Sequence, residues 1–394
     1  MNKYKQPPLL SLCMPTYNRA RLLEQMLRSL VPQVNAAAPD VELIVSDNCS
    51  TDNTREVVER ASEWGPIRYH RNAQNEGFAR NMLVVTNELA KGEFCWTIGD
   101  DDMMIRGKVA KLVNIIRANS DLDCFIVNFF YKHIQERNRL ILEKDSFYIP
   151  EKGECVCWDF SERRLSKWEE LLDFDGIHPP YMFHYIGCNV FRRSMWCANV
   201  HLVRIEKGKE LVDFDTTFPH LKILAHAMVG RPAYYIGDPM VLLGVASQEW
   251  DVGWPAKRYK VTLDSFRLYE SLGVASATIR RLQLWLLDHE FHSIASIVAR
   301  VGTPGREYFS LRKFLWANRK CPKTKIARLM AWVVFMWIFV RMTDPIQTAL
   351  KNALTHNLVI RISRRIVPLR IRRVLGNMFW RLWVPPAEKK DGGV

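Results

Sequence analysis

Cys95-Trp96-Thr97-Ile98-Gly99-Asp100-Asp101-Asp102 decides how this chain is read: a short apolar run ends abruptly in three consecutive carboxylates. Adjacent acids repel one another and favour protonation unless a cation offsets them. Hard carboxylate oxygens suit Mg²⁺ or Mn²⁺ bridging a diphosphate. The plainer alternative is a solvated acidic turn that caps the following helix, because Asp is a favoured N-cap.

Upstream and downstream of that stretch, strand and helix patterns alternate. Apolar runs at Leu9–Met14, Val41–Ser46, Glu93–Ile98 and Cys124–Phe130 are short and rich in Val, Ile and aromatics, as buried parallel strands are. Between them, Leu22, Leu23, Met26, Leu27 and Leu30 make one apolar stripe at helical spacing, and Val57, Val58, Ala61 and Trp64 another. Both stripes read as core. An α/β fold with a mostly parallel sheet follows, and in such sheets ligands bind beyond the carboxyl ends of the strands. Polar residues gather there: Pro15-Thr16-Tyr17-Asn18-Arg19, Ser46-Asp47-Asn48 with Ser50-Thr51-Asp52, and Arg71-Asn72 leading to Asn75-Glu76-Gly77-Phe78-Ala79-Arg80-Asn81. Singly each is explained by a helix cap or a turn. Jointly they form a nucleotide-site layout.

With the acidic strand end, these motifs resemble the family 2 glycosyltransferases, inverting enzymes of the GT-A fold (Rossmann-like, with flanking helices) that use nucleotide-sugar donors. The likeness covers the first 130 residues well and about the next hundred loosely. It implies a nucleotide pocket from Pro15, Thr16, Tyr17, Asn18 and Arg19, with Asp47 and Asn48 at the base and ribose. Asn72, Asn75 and Gly77 would belong to the same donor site, with Asp100 and Asp101 beside the diphosphate. The metal, Mg²⁺ or Mn²⁺, would be held by Asp100 and Asp102, although a run of three acids leaves open which members coordinate. Arg80 is expected to add positive charge near the phosphates, and Arg71 less so. The branch of abequosyltransferase-like enzymes of bacterial O-antigen synthesis is closest in pattern, sharing the Trp in the strand before the acids. Gly187-Cys188-Asn189-Val190-Phe191-Arg192-Arg193 with Trp196 matches its acceptor half, or is simply a buried strand.

An inverting transferase needs a base to take the acceptor hydroxyl's proton. By position in the family, Asp213, Asp215 and His220 are the candidates, ahead of the apolar helix Leu221–Val229. Helix capping explains Asp215 equally well, and a structural histidine explains His220. Gln248-Glu249-Trp250 and the histidines His178 and His184 around Pro179-Pro180-Tyr181 are weaker acceptor-side candidates.

Charge divides the chain. Residues 251–394 carry 26 Lys and Arg against 9 Asp and Glu, so the whole +14 excess lies there, and the first 250 residues are slightly acidic. The expected organisation is a nucleotide-sugar half over 1–130, an acceptor half over 131–250, and a helical, basic C-terminal region over 251–394. Within the last, residues 329–340 form an uninterrupted apolar run of twelve, short of the roughly 20 residues that cross a bilayer. Arginines interleaved with apolar residues follow over 358–383, and basic faces with aromatic anchors suit an anionic membrane surface. A helical domain packed on the transferase is the alternative. No nucleic-acid module is recognisable. Nine cysteines, odd in number and scattered, read as reduced thiols, and no secretory leader pattern precedes the first strand. The expectation is therefore a cytoplasmic enzyme, peripheral on the inner face of a bacterial inner membrane, with a lipid-linked or oligosaccharide acceptor. A non-catalytic scaffold of the same fold and a nucleotidyltransferase are the alternatives.

Overall fold

The structure, a computed structural model, describes residues 7–133, 157, 159–173, 183–206, 211, 213–245 and 254–290. The chain divides into two units after Leu286, and the whole sheet lies in the first.

Strands β1 (Leu10–Thr16), β2 (Val41–Asp47), β3 (Arg68–Arg71) and β4 (Phe94–Thr97) form a parallel run in one mixed sheet, in which residues 125–133 and 234–245 pair in parallel as well. β1 is buried on both faces, as a central parallel strand covered by helices must be. The other strands are β5 (Met103–Met104), β6 (Cys124–His133), β7 (Glu162–Leu165), β8 (Asn189–Arg192) and β9 (Ala233–Val245). Among the described residues the sheet order is β3-β2-β1-β4-β8-β6-β9-β5, with β7 also on β9. β8 enters antiparallel between β4 and β6, so the stretch from Asn189 to Arg192 is an internal strand. Trp196, in α5 (Arg193–Asn199), is fully buried and stacks on Phe191 at 4.2 Å, a core contact.

α1 (Ala20–Ala36) buries Leu23, Met26, Leu27 and Leu30 as the 3.6-residue period requires. α2 (Thr54–Ala61) buries Val57, Val58 and Ala61 but stops there, so Trp64 lies past the helix and takes the Arg28 guanidinium of α1 at 5.4 Å. α3 (Phe78–Leu83) and α4 (Lys108–Ala118) complete the first half. Beyond it come α6 (Phe214–Thr217), α7 (Pro219–Met228), α8 (Trp254–Ser271) and α9 (Ser276–Glu290). α8 packs on α6 and α7 and belongs to the same unit as the sheet. No helix among the described residues is long and apolar enough to cross a membrane. His178, Pro179-Pro180-Tyr181, Gln248-Glu249-Trp250, the apolar run 329–340 and the arginine-rich 358–383 lie outside the described residues.

Candidate functional site

Strand register builds the site. Thr16 pairs with Asp47 and Asp47 with Arg71, so the carboxyl ends of β1, β2 and β3 present one row of polar residues. β4 is in register with β1 through Cys13 and Thr97. Three residues beyond that pair lie Thr16 and Asp100, and the Thr16 hydroxyl donates to Asp100 Oδ2 at 2.7 Å. Arg19, just ahead of α1, bridges Asp100 Oδ1 and Asp101 Oδ2, both at 3.2 Å. Burial, then the charge of Asp101, pushes the Asp100 carboxyl up to about 6 in spite of Arg19 and Thr16. One guanidinium therefore leaves these acids short of positive charge.

Around that centre the loops are bolted together. Asn18 sits at φ 50°, its amide N–H donating to Ser50 Oγ at 2.9 Å and its Oδ1 accepting from Thr51 N at 2.7 Å. Asp52 takes the Ala20 N–H at 3.0 Å and the Thr54 hydroxyl at 2.6 Å. Although burial opposes it, those bonds hold the Asp52 carboxyl below its usual range. Asp47, completely buried, accepts from Ser50 N at 2.8 Å, the Tyr69 hydroxyl at 2.6 Å and Arg71 at 3.4 Å. Burial and then the Asp47 contact push the Tyr69 phenol up to about 12, so it stays a donor. Tyr17 and Phe78 stand out at this edge, 40% and 43% exposed, and Pro15, one residue before the end of β1, pairs with Ser46.

A ladder of asparagine side chains fixes the third loop. Asn48 donates to Asn75 Oδ1 at 2.7 Å and accepts from Asn72 Nδ2 at 2.9 Å and Glu76 N at 2.9 Å. Asn75 Oδ1 also takes the Gly77 N–H at 2.9 Å. Asn72 reaches Asn81 Oδ1 at 3.0 Å, and Asn81 in turn exchanges bonds with Ser46 at 2.7 and 2.9 Å. Arg80, expected toward the phosphates, instead pairs with Glu88 at 2.8 Å on an open surface, with Asn81 turned inward.

Asp102 departs from its expected place as a metal ligand. It is wholly buried and its carboxylate is taken up by protein donors: Gly99 N at 3.0 Å, Gly244 N at 3.3 Å and the Tyr185 hydroxyl. Burial and the charge of Asp101 push it up to about 7. Asp100 and Asp101 are the two acids of the run that pair with Arg19. Among the described residues no three His, Cys, Asp or Glu side chains are grouped to hold a metal ion. Two desolvated carboxylates nevertheless suit a cation that takes its other ligands from a diphosphate and water, as Mg²⁺ does.

On the acceptor side, Asp213 caps α6: Thr216 N and the Thr216 hydroxyl reach Asp213 Oδ1 at 2.9 and 2.8 Å. Asp215 is clamped by Lys222 at 2.8 and 2.9 Å and by Arg204 N at 2.9 Å. α6 packs against α3, which opens at Gly77 and Phe78, so the two acids lie beside the loop of Asn75 and Gly77. His220 is buried, its ring bonded to the Phe183 carbonyl at 3.1 Å, and burial pushes its imidazole down to about 4. His184 stacks on Phe218 at 4.3 Å.

Register and loop bonds thus bring together Thr16, Arg19, Asp47, Asn48, Asn72, Asn75, Asp100 and Asp101. They leave Arg80 outside and enclose Asp102. Residue patterns missed Tyr69, Asn81 and Tyr185. Asn81 was visible as the last of the Asn residues after β3, whereas Tyr185 meets Asp102 across 83 positions and carries no local signal.

Residues 11–195 match the family model described as glycosyl transferase family 2. The chain is 28% identical over 251 residues to abequosyltransferase RfbV of Salmonella typhimurium, covering 59% of this chain and 66% of that protein. It is 34% identical over 189 residues to the Campylobacter jejuni GalNAc(5)-diNAcBac-PP-undecaprenol beta-1,3-glucosyltransferase, covering 48% and 53%. The chain thus spans between about half and just under two thirds of the length of these relatives. In three dimensions it resembles S. aureus TarS 1–349, at a TM-score of 0.51 and 15% identity over 76% of each chain. The same fragment in complex with UDP-GlcNAc gives a TM-score of 0.52 at 13% identity over 74% of this chain and 78% of that one. That likeness is one of fold, the mixed α/β arrangement of the GT-A class.

Proposed function

We propose, from the match of residues 11–195 to the glycosyl transferase family 2 model, that this chain binds a nucleoside-diphosphate sugar. It transfers the sugar, with inversion, to a hydroxyl of a saccharide acceptor in bacterial surface polysaccharide synthesis. The convergence of Thr16, Arg19, Asp100 and Asp101 beyond the parallel strands carries this reading. Asp47, buried and buttressed by Tyr69 and Arg71, is a rigid acceptor of the kind that reads a base or ribose edge. Asn18 and the asparagine ladder hold the loops around it and so set the pocket before donor arrives.

Asp100 and Asp101 would hold the Mg²⁺ or Mn²⁺. As a Lewis acid, that ion would supply stabilisation of the charge on the departing diphosphate. Arg19 places a second positive charge at the same carboxylates, beside the same oxygens. Asp213 suits the base: Oδ1 is committed to the helix cap while Oδ2 has no protein donor among the described residues. Asp215, with both oxygens on Lys222, holds the turn that carries Asp213. His220 stays neutral inside and positions α7.

A lipid-linked acceptor is supported by the chemistry in the name of the Campylobacter relative and by the basic, apolar character of 251–394, which suits an anionic membrane surface. Release of nucleoside diphosphate from a panel of UDP-, CDP-, dTDP- and GDP-sugars tests the proposal. One base should be preferred, release should require divalent metal, and Asp101→Asn should abolish it. Metal-independent release, or none with any donor, contradicts it.

A further inference from the structure

The carboxylate of Asp102 joins three segments of chain. Oδ2 receives the Gly99 N–H and the Tyr185 hydroxyl, and Oδ1 receives the Gly244 N–H at the end of β9. Tyr185 is itself held from two sides. Its ring lies 4.6 Å from that of Phe129, and a Cβ on Gly187 would fall 2.4 Å from its ring and hydroxyl, so only glycine permits the packing. The Gly187 carbonyl takes the indole N–H of Trp96 at 2.7 Å, and Trp96 belongs to β4, the strand that delivers the acidic run. The circuit is closed: β4 fixes Gly187, Gly187 seats the Tyr185 ring, Tyr185 fixes Asp102, and Asp102 fixes Gly99. Asp100 and Asp101 are the two residues suspended between the last pair.

We propose that Tyr185 is a positioning residue: through Asp102 it sets where Asp100 and Asp101 stand to hold a divalent cation with a nucleoside diphosphate. This rests on the donor-site reading above. Tyr185 touches no donor atom in this scheme, and its hydroxyl, not its ring, is the active part. Without that donor a buried carboxylate loses one of its hydrogen bonds and must turn or draw in water, and the acids preceding it move with it. Outer partners of metal-binding groups typically change metal affinity 10–100-fold when removed.

Tyr185→Phe in the full chain, which keeps the ring and its packing, tests this with two readouts. Hydrogen exchange over residues 98–104 of the nucleotide-free protein should speed at least about tenfold, with exchange in α4 unchanged. Mn²⁺ affinity in the presence of the nucleoside diphosphate that binds should fall about 10–100-fold, while nucleotide affinity in EDTA stays within about twofold. A purely structural defect would lower both affinities together. Unchanged exchange, unchanged Mn²⁺ affinity, or equal loss with and without metal overturns the assignment. Should Tyr185→Phe not fold, Asp102→Asn breaks the same junction isosterically and is judged by the same outcomes. A wild-type chain that binds no nucleoside diphosphate removes the donor-site reading instead, and the exchange result still decides whether Tyr185 holds the acidic run.

Discussion

Three neighbouring acids in this chain do two different things, and Gly99 is the reason they can. A Cβ there would lie 2.7 Å from both Asp101 Oδ1 and Asp102 Oδ2, so any side chain at 99 forces the two carboxylates apart. Gly99→Ala should therefore destabilise the fold by about 1–3 kcal/mol and abolish metal-dependent nucleotide binding, measured by urea melts and calorimetry. Retained binding would show that the acids are placed some other way. At this scale the chemistry of the run was legible and its division of labour was not. Adjacent carboxylates announce a need for positive charge, but which one faces Arg19 and which faces Tyr185 follows from strand pairing and from a residue 83 positions away. Arg80 misled for the same reason: a helical position gives no clue that Glu88 lies within reach.

At the scale of elements, the strands and the first two helices were legible because apolar periodicity reports burial directly, and the parallel layout then named the edge where ligands belong. The second half was less so, since β8 enters the sheet from far along the chain and its four residues carry no period of their own. α3 is anchored by polar bonds as well as apolar ones, through Asn81 to Ser46 and Asn72. Asn81→Ala strands those buried groups and should cost about 1–3 kcal/mol, with a nonadditive double mutant with Ser46→Ala; additivity would mean the groups do not act as one network. α7 carries a pH dependence. His220 is held neutral with its pKa down at about 4, below its ordinary 6.5, so the folded state binds fewer protons than the unfolded one between those values. Its contribution is complete above pH 6.5 and is lost as pH falls toward 4. His220→Gln, which keeps a donor for the Phe183 carbonyl, should lose less stability than wild type between pH 7 and 5, by about 1–2 kcal/mol in urea melts. Parallel curves would mean the imidazole charges at little cost.

For the whole molecule, charge segregation matters more than any single contact. With the entire positive excess beyond residue 250, the full chain is expected to sediment with anionic vesicles at low salt, to stay in solution with neutral ones, and to be released as salt screens the interaction. Binding indifferent to lipid charge would contradict the membrane-surface proposal. The central claim is narrower and lies in the donor site. Its most direct test is the thermal midpoint of the full chain with UDP, CDP, dTDP and GDP, each with Mn²⁺, Mg²⁺ or EDTA, because a ligand that binds only the folded state raises it by mass action. The account predicts a rise with one nucleotide that is larger with metal than in EDTA and loses that metal-dependent increment in Asp101→Asn; no rise with any nucleotide, or one that is equal with metal and EDTA and unchanged by the substitution, would contradict it.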